Sequence, residues 1–288
     1  MLVKASWHCL RYGKSFLRRH LSTAPTTEGV DVTTHNDGKV VVMSLRNEGR
    51  MNCMTENIAV QFQGLVAKLE EAHPSALCLV LTGHGNSFAA GADLNWLEER
   101  SNTPPAENVE IMKNYYNYFT GLTTLSIPTI AAINGPAVGA GFCVSMFCDI
   151  RITSADSKLG ANFVKLGINP GMGGTFTMPL KVPSQVAWEL LLTGKIMSGK
   201  EAKEKGIVLS CMESRDQVLP EALSLASSIV SGSPLAIKET TTLLRHQSLA
   251  QPLKDQLARE AEAQGRTFAG NDIRVGLEAI KNKKVPKF

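Results

Sequence analysis

Two runs of small residues constrain this chain more than anything else in it: Phe88-Ala89-Ala90-Gly91-Ala92-Asp93 and, further on, Asn134-Gly135-Pro136-Ala137-Val138-Gly139-Ala140-Gly141. Each stands where a strand gives way to a turn and then a helix. Small side chains let a ligand approach the backbone closely, and the first N–H groups of a helix have no partner inside it. Two such turns can aim two free donors at a single oxygen, which is how an oxyanion hole is built. Either run alone also fits a tight strand-to-helix turn with no ligand.

Around these runs strand and helix alternate. Residues 40–45 read as a strand between the turn signals Asn36-Asp37-Gly38 and Asn47-Glu48-Gly49. Apolar residues at helical spacing (Ile58, Phe62, Leu65, Val66, Leu69) predict a helix over 57–72 that stops before Pro74. Residues 77–81, 128–133 and 150–153 read as further strands, and a small-residue helix over 140–147 lies between the last two. After Gly174 the chain reads as mainly helical, with 216–230, 235–244 and 252–268 the clearest segments. No linker, repeat or low-complexity tract interrupts this order, so one α/β domain over 28–288 is expected, with a helical C-terminal part.

The first 27 residues are set apart by charge. No Asp or Glu precedes Glu28, whereas Lys4, Arg11, Lys14, Arg18 and Arg19 do, among Ser6, Ser15, Ser22, Thr23, Trp7, Leu10, Phe16, Leu17 and Leu21. A basic, serine-containing, acid-free start reads as a mitochondrial presequence, residues 1–27, with cleavage between His20 and Thr27 and a matrix protein as the product. A disordered basic arm or a nucleic-acid tail is the rival reading. Losing those five basic residues takes the formal charge from +4 to −1, so the folded part carries no nucleic-acid footprint.

No window approaches the roughly 18 uninterrupted apolar residues of a membrane span. Six cysteines are scattered without metal-site or redox spacing, so no metal and no disulfide framework are expected. Gly83-His84-Gly85-Asn86-Ser87-Phe88 begins like a dinucleotide fingerprint, but Phe88 stands where its third glycine belongs.

The two small-residue runs, at this spacing, resemble those of the crotonase (enoyl-CoA hydratase/isomerase) superfamily, and the resemblance extends over roughly residues 32–288. It implies an α/β fold of the crotonase type, a spiral of ββα units with a helical C-terminal trimerisation region. It also implies an acyl-CoA thioester as substrate, with coenzyme A part of the substrate and no separate cofactor. A homotrimer or hexamer is implied, or a hetero-oligomer with a paralogue. The backbone N–H groups of Ala92 and Ala140 map onto the oxyanion donors. Ala92, Asp93, Leu94 and Asn95 map onto the pantetheine and adenine side, and Ala90, Asn162 and Phe163 are implied as further substrate-binding residues. Arg50-Met51-Asn52-Cys53-Met54 matches the family's Asn-Ala-Leu/Met segment. The basic ending from Gly276 to Phe288 matches a tail that approaches the CoA phosphates. Asp93 and Asp149 read as structural, capping helix or turn N–H groups.

The resemblance breaks at the proton-transfer groups. The two glutamates of the family's hydratases fall on Cys143 and Phe163, and the single carboxylate of its isomerases falls on Phe163 or near Gly171. No Asp or Glu occurs between Asp156 and Glu189. A well-placed acid or base supplies roughly 10²–10⁴ in rate, so ordinary hydration is expected to be crippled. Candidate replacements are Cys143 as a thiolate, Asn162 holding a water or a substrate carboxylate, or a hydroxyl among Tyr115, Tyr116 and Tyr118, with Trp96 closing the pocket. The expected function is a family member that stabilises a thioester enolate in acyl-CoA or fatty-acid catabolism. A decarboxylase-type member, which least needs a protein base, and a non-catalytic acyl-CoA-binding subunit both stay open.

Overall fold

The structure, a computed structural model, describes residues 28–245 and 250–288. The expected presequence lies outside the described residues. A six-stranded sheet runs β1 (Gly29–His35), β2 (Val40–Arg46), β3 (Cys78–Gly83), β4 (Thr129–Ile133), β6 (Ile150–Ser154), β9 (Ser210–Met212). The β1–β2 pair is antiparallel and every other pair is parallel, with Val42 opposite Val80 and Leu81 opposite Ala131. A small second sheet joins β5 (Ala137–Val138) to β7 (Lys158–Gly160) and β8 (Met197–Ser198).

The large sheet is buried on both faces, which is why its strands read as continuous apolar runs instead of alternating ones. Side chains two residues apart share a face. Val41, Met43, Leu45, Leu79, Leu81, Ala131 and Ile133 enter the main core. Val40, Val42, Val80, Ile130 and Ile152 enter a second cluster on the other face.

Twelve helices are described: α1 (Glu56–Ala67), α2 (Leu69–Ala72), α3 (Leu94–Ser101), α4 (Pro105–Thr120), α5 (Ala140–Phe147), α6 (Gly174–Lys181), α7 (Ser184–Thr193), α8 (Gly199–Glu204), α9 (Val218–Val230), α10 (Pro234–Leu244), α11 (Ala250–Ala269) and α12 (Asp272–Lys281). Helix α9 covers the second cluster through Val218, Ala222, Ala226 and Val230. Helices α1, α4, α5 and α11 pack over the main core.

The single helix expected over 57–72 is broken at Lys68, whose φ of −104° and ψ of 4° leave the helical geometry. The segment expected as helix from 216 opens as a 3₁₀ turn, Arg215–Gln217, before α9 begins. The two small-residue runs land as expected: one lies between β3 and α3, the other between β4 and α5.

Candidate active site

The two turns touch. Gly91 has φ +89°, and a Cβ built there would lie 2.7 Å from Val138 O and 3.5 Å from Ala140 N. Gly139, at φ +57°, sets the entry to α5. Both are conformations that favour glycine. Across the junction, Val138 N–H donates to Ala89 O at 3.1 Å, and the N–H groups of Phe88 and Ala89 both donate to Pro136 O at 3.0 Å. A Cβ at Gly141 would sit 2.2 Å from Ala89 O, so only glycine lets the first turn of α5 press this closely on the other loop.

A third segment braces the pair. Ala90 N–H donates to Met51 O at 3.0 Å, and Met54 N–H donates to Gly91 O at 2.8 Å. Asn52, fully buried, donates from Nδ2 to His84 O and Ser87 O at 2.8 and 2.7 Å and accepts from Asn47 N–H at 2.8 Å. The amide thus ties residues 50–54 to the loop that carries Gly91.

Among the described residues neither Ala92 N–H nor Ala140 N–H has a hydrogen-bond partner. Both residues line one cavity of about 450 Å³, as do Ala90, Asp93, Leu94, Asn95, Asn162 and Phe163. Leu166 and Ile168 extend the apolar wall beside Phe163, and Arg50 and Ile280 border the same space. The side-chain amide of Asn162 has no partner among the described residues, and its Oδ1 would lie 3.3 Å from a Cβ at Gly139. Two unpaired donors at one cavity can polarise a carbonyl oxygen, and the start of a helix adds a favourable dipole.

Proton-carrying groups are scarce here. Among the described residues Asp93 is the only carboxylate lining the cavity. Its oxygens are already engaged: they accept the N–H groups of Asn95 and Trp96 at 2.9 and 3.2 Å and pair with Arg50 Nη2 at 2.6 Å. Asp93 is therefore the N-cap of α3. Cys53 also lines the cavity; burial, reinforced by the Asp93 charge, pushes its thiol up to about 11, so it stays protonated. Asp149 sits elsewhere, accepting Thr129 N–H at 2.8 Å and Arg245 Nε–H at 3.0 Å. Burial alone would raise Asp149, and the Arg245 hydrogen bond and charge overcome that and hold it below the usual range.

Three of the expected proton carriers are corrected. Cys143 does not line the cavity. Its sulfur packs 2.9 Å from where a Gly174 Cβ would be, and complete burial, with a further contribution from Glu260, holds the thiol well above its ordinary range. The Tyr115 hydroxyl donates to Met54 O and that of Tyr116 to Gln264 Oε1, both at 2.6 Å. Both phenols are raised by burial and neither borders the cavity. Trp96 stacks on Tyr115 at 4.9 Å instead of closing the cavity.

One buried acid escaped the sequence reading. Glu260, on α11, is 3% exposed and accepts Gly173 N–H at 2.7 Å and Thr175 N–H at 2.9 Å. A signal for it exists in the helical spacing. Leu253, Leu257, Ala261 and Phe268 form the buried stripe of α11, and Glu260 and Gln264 fall on that stripe.

The family model described as enoyl-CoA hydratase/isomerase matches residues 35–288. The short-chain-enoyl-CoA hydratase of Clostridium acetobutylicum is 31% identical over 260 residues, 90% of this chain and 97% of that protein. The mitochondrial methylglutaconyl-CoA hydratase of Homo sapiens is 29% identical over 252 residues, 86% of this chain and 73% of that one. The crystal structure of an enoyl-CoA hydratase/isomerase from Mycobacterium paratuberculosis superposes with a TM-score of 0.77 at 27% identity, covering 88% of this chain and 98% of its own.

Proposed function

The chain belongs to the enoyl-CoA hydratase/isomerase family, and from that premise we propose that it is a mitochondrial matrix enzyme acting on an acyl-CoA thioester through an enolate. The observation that carries this reading is the pair of unpartnered N–H groups, Ala92 and Ala140, at one cavity. The thioester oxygen accepts both. As charge moves onto that oxygen on the way to the enolate, each donor contributes about 2.7–4 kcal/mol of stabilisation. Neither side chain takes part, so alanine suffices at both positions. The acyl chain lies along Phe163, Leu166 and Ile168, and the pantetheine arm passes Ala90 and residues 93–95. The Arg50–Asp93 pair and the basic tail after Ile280 lie toward the phosphates. Coenzyme A arrives as part of the substrate. The acid-free start of the chain and the mitochondrial relative support the matrix location.

Proton transfer falls to Asn162-bound water or to the substrate itself, because Asp93 is committed to Arg50 and to the α3 cap. That same scarcity of acids favours a second reading, a decarboxylase: loss of carbon dioxide from a malonyl-type thioester makes the enolate with no protein base.

The test incubates protein starting near Thr27 with enoyl-, dienoyl- and malonyl-type CoA thioesters in deuterated water and weighs the products by mass spectrometry. Added water means hydration, deuterium uptake alone means isomerisation, and lost carbon dioxide means decarboxylation. Ala140→Pro is the control. Proline is tolerated at the first position of a helix yet lacks the N–H, so turnover is expected to fall on the order of 10²–10³-fold. Binding of CoA thioesters without turnover of any class would replace the enzyme with a non-catalytic acyl-CoA-binding subunit.

A further inference from the structure

Helix α11 presents an apolar stripe to the core, and two polar side chains interrupt it. A carboxylate and an amide in that position are costly unless every polar atom finds a partner, and here all their partners but the Tyr116 hydroxyl lie on residues 169–175. Glu260 Oε2 accepts Gly173 N–H at 2.7 Å; Oε1 accepts Thr175 N–H at 2.9 Å and the Thr175 hydroxyl. Gln264 accepts the Tyr116 hydroxyl at 2.6 Å and donates to Asn169 O at 2.9 Å. Gln256 donates to Thr175 Oγ1 at 2.9 Å. The segment held this way is wedged against α5. A Cβ at Gly173 would lie 3.1 Å from the Phe147 ring, and one at Gly174 would lie 2.9 Å from Cys143 Sγ. Cys143 is one helical turn from Ala140.

We propose that Glu260 is a positioning residue: its carboxylate clamps residues 171–175 beneath α5 and so holds the Ala140 N–H in place for the thioester oxygen. The proposal rests on the enolate reading above. Among the described residues no cation pairs with this carboxylate. The titratable groups facing it are Tyr116 on α4 and Cys143 on α5, both kept protonated by burial. Burial pushes Glu260 up to about 7 against its three donors. Glu260 is therefore the member of this cluster that changes charge near neutrality. A proton added from solvent removes the negative charge to which the three donors bond and takes up a lone pair on one accepting oxygen, so those bonds weaken. The clamp is tight above about pH 7 and loosens below it.

The readout is the carbonyl stretch of butyryl-CoA, labelled with ¹³C at the thioester carbon, in infrared difference spectra of the bound complex. In the wild type the band is expected to shift down on binding and to lose part of that shift as pH falls through about 7. In Glu260→Gln, which puts an amide hydrogen against an N–H donor, about half of the shift or more is lost and the remainder is independent of pH, while Kd changes less than about threefold. A full, pH-independent shift in both proteins overturns the clamp. If Glu260→Gln does not fold, Glu260→Asp and the wild-type titration decide on the same criteria. If the folded wild type binds no butyryl-CoA, the acyl-CoA reading fails. The clamp is then judged by amide hydrogen exchange, expected to be at least about tenfold faster over residues 140–143 and 171–175 in Glu260→Gln; unchanged exchange there sinks it.

Discussion

Phe163 and Asn162 line the cavity, and neither side chain moves protons; the family resemblance places a hydratase glutamate at Phe163. Phe163→Glu places a carboxylate among residues that already border the substrate space. Hydration of crotonyl-CoA, followed by loss of its enoyl absorbance, is expected to rise about tenfold or more, short of the roughly 10²–10⁴ of an optimally set base. No gain in a variant that still binds the thioester would mean that Phe163 does not face the reacting carbons. Much of this site was legible in the sequence because main-chain geometry demands glycine, and glycine leaves a mark: Gly91 and Gly139 are visible as letters. The cavity residues from Ala90 to Phe163 followed from the family resemblance. Glu260 was not legible by the same route. It lies 87 residues from Gly173 along the chain, and within Arg259-Glu260-Ala261-Glu262 it reads as one charge of a solvated helix. Only its place on the buried stripe of α11 sets it apart from the exposed Glu262. The thiolate reading of Cys143 failed for a related reason: spacing put the residue on the right helix, but not on the face that borders the cavity.

Between elements, the decisive contact is that of α5 with the loop after β3. A Cβ on Gly141 would meet the carbonyl of Ala89, a backbone atom that cannot rotate aside. Gly141→Ala is therefore expected to lower stability by about 1–3 kcal/mol or more and to weaken thioester binding at the same time, because the two turns can no longer touch. Denaturant unfolding with parallel calorimetric titration checks both; lost stability with unchanged binding would show that the turns act separately. The strands and long helices were readable because burial on both sheet faces and helical periodicity leave strong patterns. The break at Lys68 was not, since the apolar spacing from Ile58 to Leu69 runs on unperturbed through it.

For the whole molecule, a surface groove of about 800 Å³ is lined by Pro170, Pro179, Trp188, Leu191, Leu192 and Phe288. Trp188 and Leu192 are 63% and 65% exposed, and apolar surface gathered in this way marks association sites. A homotrimer or hexamer is expected in sedimentation velocity, reduced to monomer by Trp188→Glu combined with Leu192→Glu. A monomeric wild type would remove the assembly reading and leave the fold untouched. The donors at Ala92 and Ala140 belong to the main chain, and the bonds that align them, from Val138 to Ala89 and from Ala89 to Pro136, are main chain too. Side chains around the cavity can change while these main-chain bonds stay in place. On the proposed reading, substitutions around the cavity change which bond is made or broken while the main-chain pair that polarises the thioester carbonyl is kept.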